Sequence, residues 1–467
     1  MDIINYLKAH ENKDMLRFST CGSVDDGKST LIGRMLYDSK MIFDDQLATA
    51  ESESKKYGTT GEKIDMALLV DGLQSEREQG ITIDVAYRFF TTKNRKFIIA
   101  DTPGHEQYTR NMITGASTSE VAIILIDARK GILTQTRRHS FIVSLLGIEH
   151  IIVAINKMDL VNYSEEIFNE ILQAYSALAK ELEIKNTYYI PVSALHGDNV
   201  VDKSENMPWF KAKPLLSLLD SMNIFKETKT EEFKFPVQYV NRPNLDFRGF
   251  CGTIAAGSIK VGDEITVLPS GKSSRVRSII NASDITEQDR EVTCNEAYAS
   301  MTITITTEDE VDICRGDMLV HTATKPRVSN SLEVMIVWMD ERSMELNKSY
   351  DIKQGTTIVS GLFEHINYNV DVNTYKKTQA TTLKLNDIAS CKLLLTQPIA
   401  TDLYTNNRKT GSFIIIDRIS NNTVGAGMIV DINEYYKDNT FKSYTDTEKA
   451  LNKYIRDNFP EWNCRAV

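Results

Sequence analysis

The stretch Gly22-Ser23-Val24-Asp25-Asp26-Gly27-Lys28-Ser29, with Thr30 after it, decides how the rest of this chain is read. It fits GxxxxGK[ST]. It follows a short apolar run, residues 16–21, and precedes a helical pattern, residues 30–35. The chemical demand of that pattern is specific. Backbone N–H groups must wrap a phosphate closely, so glycine is favoured where the chain takes positive φ, and a helix opening at Lys28 adds the positive end of its dipole. Lys28 then reaches the β- and γ-phosphates while the Ser29 hydroxyl ligates Mg²⁺.

Working outward, residues 97–100, 121–126, 151–155 and 188–191 are further short apolar runs. Between them lie helical patterns over 106–114, 135–146 and 165–182. This alternation predicts an α/β P-loop domain with a doubly wound, mostly parallel sheet. Past a polar stretch, KETKTEE at 226–232, the rhythm changes to short Val-, Ile- and Thr-rich segments at 235–240, 249–254, 264–268 and 274–280, with turns at Gly257, Gly262 and Gly271. A second boundary falls near KPRVSN at 325–330, followed by strand-like runs at 332–338, 356–362, 381–385, 391–395 and 412–416. The predicted organisation is a P-loop domain over 1–225, two all-β barrels over 230–325 and 326–445, and a helical tail over 446–467.

Three more segments carry chemistry. Residues 97–100 run into Asp101-Thr102-Pro103-Gly104-His105, where a carboxylate at a strand's C-terminal end is placed to meet Mg²⁺ and the Gly104 amide to sense the γ-phosphate. Residues 151–155 run into Asn156-Lys157-Met158-Asp159. Guanine presents N1–H and the exocyclic amine as adjacent donors that one carboxylate accepts together. Adenine has no such pair, so Asp159 selects guanine by leaving a buried carboxylate unpaired with ATP. The Lys157 stem would cover the base, Asn156 would tie this loop to the phosphate loop, and backbone N–H groups of Ser193-Ala194-Leu195 would meet guanine O6. In SEREQGITI, residues 75–83, Thr82 is placed to complete the Mg²⁺ shell, although Ile81, Thr82 and Ile83 also read as plain strand. His105 is a candidate for orienting the attacking water; a His after Gly is otherwise a cap or surface residue. Arg77 is the nearest arginine for stabilising charge, or else a solvated one.

Composition bounds the rest. The chain has 467 residues, 54 Lys+Arg against 64 Asp+Glu, and a formal net charge of −10. That balance weighs against sequence-independent nucleic-acid binding, which needs clustered cations. No apolar run approaches the ~18 residues of a membrane span, and the opening MDIINYLKAHENKD is amphipathic rather than a signal peptide. Cys21, Cys251, Cys294, Cys314, Cys391 and Cys464 have no metal-ligand spacing and read as reduced, mostly buried thiols of a cytoplasmic protein.

On these residues the chain resembles the translation-factor superfamily of GTPases. Within it, the chain is most similar to the large, GTP-hydrolysing subunit family of bacterial sulfate adenylyltransferase. The stretches GSVDDGKSTLIGRMLYDSK, LLVDGLQSEREQGITIDVAYRFF, DTPGHEQYTRNMITGAST, DARKGILTQTRRHSFIVSLLGI and VAINKMDL carry that likeness, which is dense over 15–160 and looser through both barrels. The resemblance implies that GTP hydrolysis drives formation of adenosine 5′-phosphosulfate and pyrophosphate from ATP and sulfate, the adenylyl transfer occurring in a smaller catalytic partner subunit. It gives Thr82, Asp101, Gly104 and His105 the switch, magnesium, γ-phosphate and water-positioning roles. Asp25 matches an aspartate that helps some members hold a monovalent cation, and equally a turn residue. With its end at Val467 the chain is expected to lack the adenylylsulfate kinase fused to some relatives. The basic clusters Asn406-Asn407-Arg408-Lys409 and Lys376-Lys377 read as solvated turns. An elongation-factor-like GTPase delivering aminoacyl-tRNA is the alternative.

Overall fold

A computed structural model describes residues 13–40, 54, 66–70, 76, 82–224, 232–281, 293–433 and 446–459. Arg77, Ile81, Cys464 and most of SEREQGITI lie outside the described residues. The chain divides into two compact units, one of residues 1–227, 370–378 and 384–388, the other of residues 228–369, 379–383 and 389–467.

The first unit holds a six-stranded sheet. Its strands are β1 (Asp14–Cys21), β2 (Ala86–Thr91), β3 (Arg95–Asp101), β4 (Val121–Asp127), β5 (His150–Asn156) and β6 (Asn186–Pro191), ordered β2-β3-β1-β4-β5-β6. Only the edge strand β2 runs antiparallel to its neighbour, as its register of Ala86 with Asp101 requires. Every residue of β4 is buried, which is how an apolar, β-branched run behaves when both faces of a parallel sheet are covered. The helices are α1 (Lys28–Asp38), α2 (Thr109–Ser117), α3 (Thr134–Leu145), α4 (Glu165–Glu181) and α5 (Leu215–Ser221). α4 shows why these segments are helical. Ser164 caps it by accepting from the Ile167 amide at 3.3 Å, Glu165 and Glu166 meet its positive end, and Phe168, Ile171, Tyr175, Leu178 and Ala179 form one buried stripe. α1 buries Leu31, Ile32 and Met35 against Leu16, Phe18, Phe97 and Ile123, and so fixes the helix that follows the phosphate loop. Gly33 is required there, because a Cβ on it would stand 2.0 Å from the carbonyl oxygen of Met66.

The second unit contains two barrels. In the C-terminal one, strands Ser349–Gln354, Ser412–Ile416, Thr423–Ile432, Arg327–Trp338, Ile388–Thr401 and Thr357–Val370 pair in that order, and the last pairs with the first. In the other, Lys234–Pro236, Met318–His321, Glu264–Leu268, Ser273–Asn281, Thr302–Thr307 and Gly249–Thr253 follow one another, and a bridge from Lys234 to Ala256 completes the ring. Closure removes exposed sheet edges. Gly257, Gly262 and Gly271 take φ of 69°, 90° and 77° at the turns expected of them. The run 381–385 is not a strand, whereas Ser349–Gln354 and Thr423–Ile432 are strands that alternation did not mark. In the latter, Gly427 lies flat under the Phe413 ring, where a Cβ would come within 2.2 Å. Residues 446–458 are helical, and residues 460–467 of the tail expected over 446–467 lie outside the described residues. Cys21 and Cys391 are buried, but Cys251 and Cys294 are half-buried and Cys314 is exposed, so burial of the thiols holds only in part. Among the described residues no helix is long and apolar enough to cross a membrane.

Candidate active site

The loops at the C-terminal ends of β1, β3, β5 and β6 converge, which is where parallel α/β sheets bind ligands. The first is the loop of residues 22–27. Gly27 takes φ 91° as the residue before α1, and a Cβ there would lie 2.5 Å from Asn156 Nδ2. Asp26 Oδ2 accepts from the Ser23 amide at 2.6 Å and holds the loop's curvature, and Asp25, exposed, adopts φ 67°. Lys28, 7% exposed, folds back to donate to the carbonyls of Gly22 (3.1 Å) and Ser23 (2.9 Å). Burial holds its amine below the ordinary lysine value, with Asp101 opposing. Burial likewise raises the carboxyls of Asp26 and Asp101, with Lys28 opposing. Ser23 Oγ and Asp26 Oδ1 are buried without a hydrogen-bond partner among the described residues. Val24 lines a cavity of about 390 Å³ with Ser23, Gly104, His105, Leu133 and Gln135. Thr30 follows Ser29 in the first turn of α1, half-buried.

Ser29, Thr82 and Asp101 meet. Ser29 Oγ lies 3.0 Å from Asp101 Oδ2 and 3.2 Å from Thr82 Oγ1, and Thr20 donates to Asp101 Oδ1 at 3.1 Å. Two hydroxyls and one carboxylate are a hard-oxygen set that fits Mg²⁺ sharing its shell with phosphates and water. No group of three or more His, Cys, Asp and Glu suited to a metal occurs among the described residues. Thr102 anchors the next loop by donating to Thr20 O at 2.5 Å, and Pro103 is buried beside it. Gly104 abuts the phosphate loop so closely that a Cβ would stand 2.5 Å from Lys28 Nζ and 2.7 Å from Gly22 O. His105 is exposed, and its Nδ1 accepts from the Gln107 amide at 3.3 Å, capping a 3₁₀ turn over Glu106–Tyr108. Capping and a place beside the loop therefore coexist in one residue. Thr82 and Ile83 lie outside the strand, which begins at Ala86.

The other end of the site is cross-linked. Asn156 Nδ2 donates to Asp26 O at 2.7 Å and its Oδ1 accepts from the Ala194 amide at 2.9 Å. Lys157, at φ 63°, donates to the carbonyl of Asp25 and pairs with Asp127 Oδ2 at 3.2 Å. Met158 is fully buried, with its amide on Val192 O. Asp159 Oδ1 accepts from Ser193 Oγ at 2.6 Å. At Ser193-Ala194-Leu195 the Ser193 amide donates to Asp198 O at 3.2 Å and the Ala194 amide to Asn156 Oδ1 at 2.9 Å.

Three participants went unread in the sequence. Arg34 of α1 donates to Ala194 O (3.3 Å) and Leu195 O (2.6 Å), clamping that loop from behind. Asp127, ending β4, accepts both prongs of Arg129 at 3.1 and 2.7 Å as well as Lys157. Burial would raise its carboxyl, but the bonds from Arg129 and Lys157 outweigh that and hold it down to about 2. Asp127 had a legible signal, the same lone carboxylate at a buried strand's C-terminal end that marks Asp101. Arg34 had none.

Residues 13–225 match the family described as the Elongation factor Tu GTP binding domain, and residues 331–430 match the GTP-eEF1A C-terminal domain-like family. Sulfate adenylyltransferase subunit 1 of Sulfurovum sp. is 73% identical over all of this chain and 98% of its own length. The proteins of the same name from Aliarcobacter butzleri and Pseudoalteromonas atlantica are 58% and 57% identical over all of this chain and 98% and 97% of theirs. A crystal structure of sup35 complexed with GDP aligns at 22% identity and a TM-score of 0.42, covering 91% of this chain and 95% of that one; nothing further is drawn from that likeness.

Proposed function

The chain belongs to the sulfate adenylyltransferase subunit 1 family, and from that premise we propose that its GTP hydrolysis drives synthesis of adenosine 5′-phosphosulfate and pyrophosphate from ATP and sulfate in a smaller catalytic partner subunit. The observation that carries the GTPase half of this reading is the meeting of Ser29, Thr82 and Asp101 beside Lys28. In this reading residues 1–225 are the nucleotide domain, 230–325 and 326–445 the two barrels, and 446–467 a helical tail. The protein works in the cytoplasm, without nucleic acid or membrane.

The chain's own groups divide the work. Lys28 leaves the carbonyls of Gly22 and Ser23 for β- and γ-phosphate oxygens, a swap of acceptors in which its buried charge gains stronger ones. Mg²⁺ held by Ser29, Thr82 and Asp101 would neutralise charge developing between the β- and γ-phosphates. The Gly104 amide senses the γ-phosphate, and loss of that phosphate releases Thr82. His105 orients the attacking water beside the cavity it lines with Ser23 and Gly104. Asp159, steadied by Ser193, reads guanine. A monovalent cation near Asp25 would rest on its side chain, since the Lys157 ammonium on the Asp25 carbonyl repels a second cation there. Turnover in potassium against sodium salts tests it.

The coupling test mixes the purified chain with the small subunit, ATP and sulfate, and follows pyrophosphate with and without GTP. A GTP-dependent rise in rate or extent is expected; no change in either overturns the coupling. The elongation-factor-like reading draws on the two matched families, and filter retention of charged tRNA only with GTP would favour it instead.

A further inference from the structure

Asp127 is a buried carboxylate that the mechanism above does not use. Its side chain is fully shielded from solvent, yet it faces two cations, Arg129 through a two-pronged contact and Lys157 through a single one at 3.2 Å. Lys157 has one more partner, the carbonyl of Asp25 in the phosphate loop. Its ammonium is thereby stretched between β4 and the phosphate loop, although its own backbone sits in the left-handed conformation at φ 63°. A lysine side chain has four rotatable bonds, and fixing it as a flat wall for a base is entropically costly unless its far end is anchored. The Asp25 carbonyl is a neutral acceptor on an exposed residue. Asp127 supplies the charged and buried anchor.

We propose that Asp127 is a positioning residue for guanine recognition, tethering the Lys157 ammonium so that the lysine stem presents a fixed wall to the base. This rests on the reading of residues 156–159 as the guanine loop and adds to it a specific anchor. Arg129 has a different part. Its guanidinium, with a side chain 45% exposed, completes the neutralisation of Asp127, and among the described residues its side-chain bonds go to Asp127. Loss of Asp127 should thus weaken GTP and GDP alike, because the base is common to both, and should leave the chemical step alone.

The test measures GTP and GDP dissociation constants and saturated turnover for Asp127→Asn, Lys157→Ala, Arg129→Ala and the double variant Asp127→Asn/Lys157→Ala in the full chain. Asp127→Asn is expected to weaken both nucleotides about tenfold with turnover within about twofold. In the Lys157→Ala background the same change should add nothing, the non-additivity of two residues acting as one. Arg129→Ala should cost no more than about threefold. Additive losses in the double variant, or a loss in Arg129→Ala equal to that in Asp127→Asn, overturn the proposal. A thermal melt separates misfolding, and Asp127→Glu, which keeps the charge, should recover most of the affinity. Asp159→Asn run alongside distinguishes the two failures. If that variant does not trade guanine for xanthine, the guanine loop itself is misread; if it does and Asp127→Asn binds normally, only the tether falls.

Discussion

The phosphate end and the base end of this site are built on opposite plans. At the phosphate end, polar groups are left in makeshift or missing partnerships: Lys28 on two backbone carbonyls, and Ser23 Oγ and Asp26 Oδ1 with no partner among the described residues. At the base end, two side chains are each held from two sides, Asn156 by Asp26 and Ala194, Lys157 by Asp25 and Asp127. Buried polar groups without good partners raise the free energy of the ligand-free site, and a ligand that satisfies them recovers that cost on binding. A fully bonded network has nothing to regain, so it contributes shape rather than response. In the proposed reading, selectivity sits at the cross-linked end and response at the phosphate end.

The sharpest way to break this contrast is to disable each end in turn. Lys28→Ala should lower affinity for GTP and GDP about a thousandfold, by removing the buried charge that meets the phosphates, and no change of base should rescue it. Asp159→Asn should lower GTP affinity about a hundredfold, and xanthosine triphosphate should restore it; both are read by titration with fluorescent nucleotides. Rescue of both variants by xanthine, or of neither, would erase the distinction between the ends. Gly104→Ala comes next. Its Cβ would crowd Lys28 Nζ and Gly22 O, so GTP affinity should fall about tenfold while GDP affinity changes less.

The smallest effect concerns acid. His139 on α3 is buried, its Nδ1 has no partner among the described residues, and burial, aided by the charge of Lys28, lowers its value from 6.5 to about 3. A depressed value means the unfolded chain takes the proton first. Stability is therefore complete above about 6.5 and is lost as pH falls towards 3, by up to about 1.4 kcal/mol per pH unit. Asp127, held at about 2 against an ordinary 3.8, begins to lose its contribution only below about pH 4. His139→Gln should flatten the stability curve between about pH 6 and 4, measured by urea unfolding. An unchanged slope would show that His139 does not carry this sensitivity to acid.

Legibility in the sequence followed contiguity, and Asn156–Asp159 at the base end was as readable as Gly22–Ser29. Gly22–Ser29 and Asp101–His105 are contiguous, so their backbone demands are written in consecutive letters. The base end is assembled from the ends of four strands and from Arg34 in the first helix, and no local pattern states that Arg34 will hold the Ala194 and Leu195 carbonyls. The same holds at residues 193–195: the amide donors are visible in the sequence, but their partners Asp198 and Asn156 are supplied by the fold. In the barrels, strand Thr423–Ile432 escaped notice because Gly425 and Gly427 break an apolar alternation that they serve by letting Phe413 lie flat. The run 381–385 had the right composition for a strand and stayed a loop, since propensity is a weak guide where packing decides.

Helix α1 has a mechanical consequence. Its eleven residues, about 16 Å long, carry Lys28 and Ser29 in the first turn and Arg34 in the second. Midway, Gly33 is pressed against the turn Met66–Leu69 with no room for a methyl group. In the proposed reading one helix therefore serves both ends of the site, Lys28 and Ser29 directly and the 194–195 loop through Arg34, and it is braced on that turn. In that reading the turn Met66–Leu69 bears at once on the Lys28 ammonium, the Ser29 hydroxyl and, through Arg34, the 194–195 loop.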